Sequence, residues 1–212
     1  MEMGIFISFE GVDGCGKSTQ VHRLLETLSN LGYETVLVRE PGGTLLGEEI
    51  RQILLDVRES NMVPEAEMLL FEASRAQLVR ETIIPALERG AVVVSDRFAD
   101  STVAYQACAR GLDLPLVDAA NDLGTCGVWP PRTIVLDIDP ETAYMRGCAG
   151  QPDRMEIDGV AFQARVREGY RMLAEREPNR VHLIDADGTP DEVWQRIVCD
   201  LSDCIEDLVN TK

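Results

Sequence analysis

The chain has 212 residues, 45% of them hydrophobic, which suffices for one domain with a substantial core. Its formal net charge of −17 argues against general nucleic-acid binding, which needs cations spread over the surface. Because the sequence shows no apolar run of about eighteen residues and no basic, apolar leader, we expect a cytoplasmic protein without membrane contact.

The first predicted elements flank a glycine-rich loop. Residues 4–10, "GIFISFE", are rich in β-branched and aromatic side chains and run into "GVDGCG", so they predict a buried strand entering a loop. Apolar residues at helical spacing then predict a helix that ends at Gly32. Residues 33–40, "YETVLVRE", predict a second strand, and the turn "PGGT" leads into a helix at about 46–54.

The rest of the chain continues this alternation. In order, the predicted elements are a helical region at 64–90 in which Pro85 begins a second segment, a strand at 91–98, helices at about 100–110 and 115–126, a strand at 133–139, a short helix from Pro140, a helix at about 159–176, the strand "VHLID", and a last helix carrying Val193, Ile197, Leu201, Ile205 and Leu208.

This order predicts an α/β fold: a five-stranded parallel sheet with helices on both faces and ligands beyond the carboxyl ends of the strands. We expect residues 1–212 to form a single domain, because no linker is long enough to divide the chain. The glycine-rich polar stretch "RGCAGQPDR" predicts a mobile lid at about 146–157.

The segment "GVDGCGKS" matches the P-loop pattern GxxxxGK[ST] between a predicted strand and a predicted helix. The glycines let backbone N–H groups point inward, Lys17 reaches the terminal phosphates, and the Ser18 hydroxyl can bind magnesium. A chance strand–turn–helix loop is the alternative. We predict that a nucleoside triphosphate is bound by Gly11, Val12, Asp13, Gly14, Cys15, Gly16, Lys17, Ser18 and Thr19.

Lys17 is the only internal lysine, since the one other lysine is the terminal Lys212. A compact ammonium can enter a narrow loop between two phosphates, whereas a planar guanidinium is too wide. The lack of other internal lysines also excludes the guanine-reading NKxD segment of a GTPase.

Three predicted strands end in aspartate, namely Asp96, Asp137 and Asp185. Asp96 is singled out because Arg97 follows it, which places a magnesium ligand and a phosphate-binding cation at one strand end. With Ser18 it forms the predicted metal site. For Asp137 and Asp185 we favour caps or turns.

Two segments indicate an anion site on this acidic chain. Arg39 ends a strand in "REPGGT", and Arg97 ends another in "SDRF". An arginine fork can hold a phosphate through two hydrogen bonds. The alternative for each is a surface ion pair with a neighbouring carboxylate.

Two helical segments carry the side chains that recognition of a nucleobase requires. Phe71 and Arg75 are four residues apart and share a helix face, and Thr102 and Gln106 repeat the spacing, with Tyr105 adjoining. A stacking ring beside hydrogen-bonding groups can read a base edge. Taken alone, Phe71 would fit a core position better.

The cysteines do not form a metal or redox motif, because they include no CxxC pair and neither histidine stands at zinc spacing from them. We therefore interpret them as buried apolar groups or free thiols. They are Cys15, Cys108, Cys126, Cys148, Cys199 and Cys204.

Five segments, in their order and spacing, resemble bacterial thymidylate kinases across essentially the whole chain. They are the P-loop before the first helix, "REPGGT", "LLFEASRAQ", "SDRFADSTVAYQ" and "DRME". The resemblance implies a P-loop NTPase fold of the nucleoside-monophosphate-kinase type with a short lid. It also implies transfer of the γ-phosphoryl group of ATP to dTMP, giving dTDP and ADP for dTTP synthesis, with Mg²⁺ as cofactor, in a homodimer.

Carried onto matching positions, the resemblance implies how the base is read. Phe71 would stack on thymine, and Pro41 would pack near the sugar and base. Arg75 and Gln106 would read the polar edge together with Thr102, which stands where several relatives have serine.

The same carry-over implies how the sugar and phosphate are held. Tyr105 would occupy the space of a ribose 2′-OH, and Asp13 would bind the 3′-OH. Arg39 and Arg97 would hold the acceptor phosphate, while Lys17 and Arg97 would neutralise charge on the transferred group.

In that family a further catalytic arginine comes from the P-loop or from the lid. Residues 12–15 contain none, so the lid must supply it. Arg154 is the first candidate and Arg146 the second, although Ala149 stands where lid-type relatives carry arginine. The resemblance thus implies four catalytic residues, which are Lys17 in the P-loop, Asp96 and Arg97 at a strand end, and Arg154 in the lid.

Two other functions stay open at this point. One is a kinase of the same fold that acts on a different nucleoside monophosphate. The other is a non-catalytic nucleotide-binding switch, which would bind ATP without releasing ADP in response to an acceptor.

Overall fold

The computed structural model describes residues 4–59, 61–147, 154 and 159–210. Within these residues the predicted five-stranded parallel sheet is confirmed, with the strand order β2-β3-β1-β4-β5. Strands β1 to β5 are Phe6–Glu10, Thr35–Arg39, Val92–Asp96, Arg132–Asp137 and Val181–Asp185. The central strand β1 is buried along its whole length, as expected for a sheet covered on both faces.

Helices fill the connections between the strands. In the described part of the chain, α1 to α9 are Lys17–Asn30, Leu45–Leu55, Pro64–Leu78, Ile84–Glu88, Ala99–Thr102, Leu114–Gly124, Pro140–Gly147, Gly159–Arg176 and Pro190–Leu201. Wider π-helical turns at Val79–Ile83 and Val103–Ala109 join α3 to α4 and extend α5, and 3₁₀ turns lie at Val57–Glu59 and Glu206–Asn210. Pro85 lies in the first turn of α4, as predicted.

The prediction of one continuous last helix is wrong. Helix α9 ends at Leu201, and a turn at 202–204 separates it from the final 3₁₀ turn. The Ser202 hydroxyl donates to the Cys199 carbonyl at 2.7 Å, which takes up a carbonyl of the last helical turn. The change of direction still leaves Ile205 and Leu208 buried in the core.

Two hydrophobic clusters cover the two faces of the sheet. In β1, Ile7 and Phe9 belong to the larger cluster, whereas Phe6 belongs to the smaller one. The larger cluster includes buried residues of α1, α8 and α9, and the smaller includes the end of α3 and the π turn after it. This alternation confirms that helices cover both faces. Among the described helices, none is long and apolar enough to cross a membrane.

The register of the sheet brings the carboxyl ends of three strands into one row. Phe9 of β1 pairs with Asp96 of β3, and Arg39 of β2 pairs with the same residue. The Arg97 backbone N–H donates to the Phe9 carbonyl at 2.9 Å, and Glu40 donates to the Asp96 carbonyl at 3.1 Å. The loops after these strands therefore leave the sheet side by side.

The predicted lid at about 146–157 lies mostly outside the described residues. Only 146, 147 and 154 of that stretch are described, and 148–153 and 155–158, which include Cys148 and Ala149, are not. The mobile lid and the single domain of residues 1–212 stay predictions.

Candidate active site

A cleft of about 1360 Å³ opens at the carboxyl edge of the sheet. Its lining includes a residue that follows each of the five strands: Asp13, Glu40, Arg97, Pro140 and Ala186. This is the edge at which the sequence predicts a ligand site.

The P-loop forms one wall of this cleft, with residues 13–19 in its lining. Gly16 has φ of +98°, a left-handed conformation that lets the loop turn directly into α1. The Lys17 ammonium is buried and donates to the carbonyls of Gly11 and Val12, each at 3.0 Å. The loop thus holds its cation close to the N-terminus of α1, where phosphate oxygens bind.

Two oxygen groups meet where the sequence predicts a metal. The Ser18 hydroxyl, in the first turn of α1, donates to the Asp96 carboxylate at 3.2 Å. Both residues line the cleft. A hydroxyl and a carboxylate on rigid elements are the donor types that Mg²⁺ takes beside phosphates, so these residues fit that ion.

Arg97 lies against the P-loop. Its guanidinium forms an ion pair with Asp13, donates to the Gly11 carbonyl at 3.1 Å, and lies 5.1 Å from the ring centroid of Tyr105. Burial alone would raise the pKa of the Asp13 carboxyl, but the charges of Arg97 and Lys17 outweigh burial and lower that pKa. Arg97 also has φ of +72°, a strained conformation that marks functional positions.

Arg39 lines the same cleft but is half-exposed and paired with Glu48 at 2.8 Å. The Gly43 N–H donates to the same Glu48 oxygen at 2.8 Å. This hydrogen bond and the Arg39 charge lower the pKa of Glu48. In this structure Arg39 therefore makes the ion pair that was the alternative to phosphate binding, although it lines the cleft.

The predicted base-reading residues, Phe71, Arg75, Thr102, Tyr105 and Gln106, all line the cleft. Arg75, Thr102 and Gln106 are held from behind by buried glutamates. Such an arrangement fixes the direction of each remaining polar group before a ligand binds.

Arg75 is almost completely buried between two glutamates. Its guanidinium binds Glu40 at 2.8 Å, forms an ion pair with Glu72, and donates to the Asn121 side chain at 3.0 Å. Thr102 gives its hydroxyl hydrogen to Glu72 at 3.0 Å. The Thr102 oxygen can then only accept from a ligand.

Glu67 is a buried carboxylate shared by three side chains. It accepts from Gln106 at 2.8 Å, from Arg110 at 3.2 Å and from Arg154 at 2.6 Å. Burial would raise the pKa of Glu67, but the hydrogen bond from Gln106 and the arginine charges lower it. The amide nitrogen of Gln106 is therefore directed to Glu67, and its amide oxygen can accept a hydrogen bond from a ligand in the cleft.

The two candidate lid arginines lie in different places. Arg154 binds Glu67 and donates to the Leu54 carbonyl at 2.7 Å, and it is not among the described residues that line the cleft. Arg146 lines the cleft and donates to the Ala186 carbonyl at 3.1 Å. The catalytic role of Arg154 stays a prediction.

The interpretation of the other strand-end aspartates is half right. The Asp185 carboxylate accepts from the Asp187 N–H at 3.0 Å, which is a turn contact. Asp137 is neither a cap nor a turn residue, because its carboxylate binds Arg167 at 2.5 Å and Arg171 at 3.0 Å. The two arginines of α8 reach it across the sheet edge, a contact that spacing along the chain does not reveal.

Arg51 and Gln163 are among the cleft residues that the sequence analysis missed. Arg51 donates to the Pro41 carbonyl at 3.0 Å, and its place two turns after the "PGGT" loop is a signal that could have found it. Gln163 donates to Asp13 at 3.1 Å from α8, 150 residues away. No local pattern marks Gln163, because α8 reaches the site through tertiary packing.

Known proteins are similar to this chain over most of its length. The family model described as thymidylate kinase matches residues 9–197. A thymidylate kinase of Caldanaerobacter subterraneus is 50% identical over 86% of this chain and 87% of its own, and one of Bifidobacterium longum is 47% identical over 97% and 89%. A crystal structure of thymidylate kinase from Ehrlichia chaffeensis has a TM-score of 0.76 and 36% identity, covering 94% of this chain and 99% of that one.

The cluster around Arg75 predicts a pH dependence of stability. Burial raises the pKa of Glu40 to about 7, although Arg75 opposes the rise, and Glu72 and Glu10 add to it. The unfolded chain would ionise Glu40 near pH 4.5, whereas the folded protein keeps the proton up to about pH 7. The free energy of unfolding should therefore fall as the pH rises from about 4.5 to about 7, by an amount on the order of 3 kcal/mol at most.

Glu40→Gln should remove that part of the slope, because the amide does not titrate. Urea unfolding at several pH values measures it, with Glu88→Gln on the surface of α4 as the control. Equal slopes in Glu40→Gln and the unmodified protein would contradict the prediction.

Proposed function

The chain belongs to the thymidylate kinase family, and on that premise we propose that it transfers the γ-phosphoryl group of ATP to dTMP, giving ADP and dTDP for dTTP synthesis. One observation carries the proposal: the Arg97–Asp13 ion pair joins a P-loop to the base-reading side chains within a single cleft. Donor and acceptor groups thus share one site. The cytoplasmic location and the absence of nucleic-acid or membrane partners stay predictions from composition.

On the donor side, the P-loop binds the ATP phosphates through backbone N–H groups at the start of α1. Lys17 would exchange its contacts with the Gly11 and Val12 carbonyls for phosphate oxygens. Ser18 and Asp96 would hold Mg²⁺, which supplies further neutralisation of phosphate charge when bound. No rearrangement of the sheet is required, because Ser18 and Asp96 are already 3.2 Å apart.

On the acceptor side, the buried residues select the base. Phe71 stacks on thymine and Arg75 donates to its edge, held in one orientation by Glu40 and Glu72. Thr102 accepts from the base, because its own hydrogen is given to Glu72. Gln106 completes the edge and Pro41 packs beside it.

The sugar and the acceptor phosphate lie nearer the P-loop. The Tyr105 hydroxyl donates to Asp13 at 3.4 Å, so ring and carboxylate form one wall. Asp13 accepts from the 3′-OH, and Tyr105 leaves no room for a 2′-OH. Arg97 and Arg39 hold the acceptor phosphate, with Arg39 leaving Glu48 to do so. The loose transition state then needs alignment and charge neutralisation, which Lys17 and Arg97 supply.

A panel of acceptors tests the proposed function. ADP release is measured with dTMP, dUMP, UMP, CMP, AMP and GMP at equal concentration. We expect dTMP to give the highest kcat/KM, and a higher value with another monophosphate would assign the chain a different acceptor. Tight ATP binding without any acceptor-dependent ADP release would indicate the non-catalytic switch instead.

Removal of the stacking ring should weaken acceptor binding only. Phe71→Ala is expected to raise KM for dTMP about tenfold, since a base–aromatic stack contributes about 1–3 kcal/mol. KM for ATP should stay within about twofold of its original value. Phe71→Leu is the matched control that keeps apolar bulk but lacks the aromatic plane. Equal increases of both KM values would contradict stacking.

We also propose that Arg154 is the catalytic arginine, which requires it to leave Glu67 during turnover. Arg154→Ala should lower kcat about a hundredfold with little change in KM for dTMP, by analogy with arginine fingers. Arg146→Ala, on helix α7, is the variant to compare, because Arg146 is the second candidate and lines the cleft. Normal turnover in Arg154→Ala together with a large loss in Arg146→Ala would move the role to Arg146.

The homodimer is proposed on an exposed apolar surface formed by α2, α3 and α6. Leu46 and Ile53, and likewise Leu116 and Leu123, are seven residues apart and so lie on one face of α2 and of α6. Leu69 of α3 is 60% exposed, and α3 contacts both other helices. A second copy covering this surface would remove it from water.

Leu123→Glu combined with Leu69→Glu should therefore yield a monomer. Light scattering after gel filtration should change from about 47 kDa, twice the chain mass of 23.5 kDa, to the mass of one chain. Leu183→Glu on the edge strand β5 is the control, because Leu183 is exposed elsewhere. A monomeric unmodified protein would disprove the dimer.

A further inference from the structure

Glu10, the last residue of β1, is fully buried beside the first glycine of the P-loop. Its carboxylate accepts four hydrogen bonds from uncharged donors. Oε1 accepts from the Phe98 backbone N–H at 2.7 Å and from the Ser8 hydroxyl at 3.2 Å. Oε2 accepts from the Ser101 hydroxyl at 2.6 Å and from the Tyr170 hydroxyl at 2.8 Å. Four donors from three separate parts of the chain fix the carboxylate in one orientation.

Two of these hydroxyls also contact Arg97. The Arg97 Nη1 atom lies 3.3 Å from the Ser101 oxygen and 3.4 Å from the Tyr170 oxygen. The backbone immediately after Arg97 is held as well, because the Phe98 N–H donates to Glu10. Arg97 keeps its left-handed φ only because its surroundings impose it, and Glu10 is the buried group that contacts the next residue.

The direction of the hydrogen bonds requires an acceptor at position 10. Each hydroxyl has a single hydrogen. When Ser101 and Tyr170 give theirs to Glu10, both oxygens present lone pairs to the Arg97 N–H groups. A carboxamide at position 10 that turned its NH₂ toward the Phe98 N–H would place two donors face to face. Turned the other way, its NH₂ would occupy the lone pairs of the Ser101 and Tyr170 oxygens, which lie 2.9 Å apart, and their hydrogens would have to turn away from position 10.

We propose that Glu10 is a positioning residue for the reaction, which directs Arg97 toward the acceptor phosphate through the Ser101 and Tyr170 hydroxyls. This inference rests on the role of Arg97 in the proposed function. Burial and the nearby Asp100 raise the pKa of the Glu10 carboxyl, and the Arg97 charge opposes the rise, so Glu10 and Arg97 also interact electrostatically.

A double-mutant cycle on Glu10 and Arg97 tests the proposal. Glu10→Gln is expected to lower kcat/KM for dTMP about tenfold, with KM for ATP within about twofold, because Lys17 and the P-loop N–H groups are untouched. In an Arg97→Ala background the same substitution should have no further effect. A residue that acts only on the stability of the fold would instead change the kinetics for both nucleotides in both backgrounds.

The outcomes separate the inference from the function on which it rests. If Arg97→Ala lowers kcat/KM for dTMP and Glu10→Gln lowers it by the same factor in both backgrounds, the positioning role is disproved and the role of Arg97 stands. If Arg97→Ala leaves kcat/KM for dTMP unchanged, the phosphate-binding role of Arg97 is itself disproved, and the inference with it.

Two milder variants keep the test valid if Glu10→Gln does not fold. Tyr170→Phe removes a hydroxyl that joins Glu10 to Arg97, whereas Ser8→Ala removes one that contacts Glu10 alone. We expect Tyr170→Phe to raise KM for dTMP several-fold and Ser8→Ala to leave it unchanged. Equal effects of the two variants would overturn the proposal, since each deletes one hydrogen bond to Glu10.

Discussion

The parallel pairing of β1 with β3 brings the P-loop beside Asp96 and Arg97, on which the rest of the site depends. Phe9 stands opposite Asp96 in this register, and Arg39 of β2 stands opposite Asp96 on the other side. A slip of one residue would turn each side chain of β3 to the other face of the sheet. Asp96 would then lose the P-loop hydroxyl, and Arg97 would lose Asp13. Val92 and Val94 pack in the larger hydrophobic cluster and Val93 in the smaller one, so the packing on the two faces, which opposes such a slip, also places donor and acceptor groups together.

Within that frame, the acidic chain builds an anion site in which Arg39, Arg75 and Arg97 each have a carboxylate partner. Arg75 lies buried between Glu40 and Glu72. Removing these charges from water costs free energy, but the two ion pairs hold the Arg75 guanidinium in a single orientation. Arg39 differs, because its partner Glu48 is half-exposed. An incoming phosphate can replace Glu48 at little cost. Buried pairs therefore suit recognition of the base, and exposed pairs suit binding of the mobile phosphate.

The sequence was sufficient to predict contacts that are local or that lie at strand ends. It predicted the P-loop, the approach of Ser18 to Asp96 and the shared face of Phe71 and Arg75, since strand order and helical spacing imply them. It could not predict the contact of Asp137 with α8, because partners about 30 residues apart depend on how that helix packs. The same holds for Gln163. The end of α9 was misplaced because the apolar spacing continues through the turn.

The long reach of these contacts has a consequence for how the protein is made. Among the five described strands β1 is synthesised first, yet it becomes the middle strand, and its neighbours β3 and β4 follow much later. Glu10 cannot accept its hydrogen bond from Tyr170 until the chain has grown by a further 160 residues. Until β3 is made the central strand lacks its neighbours, a state that is prone to misassociation, and until α8 is made the Glu10 carboxylate lacks one of its four donors. The hydrogen bonds that hold Glu10 beside the nucleotide loop are therefore complete only after α8 has been synthesised.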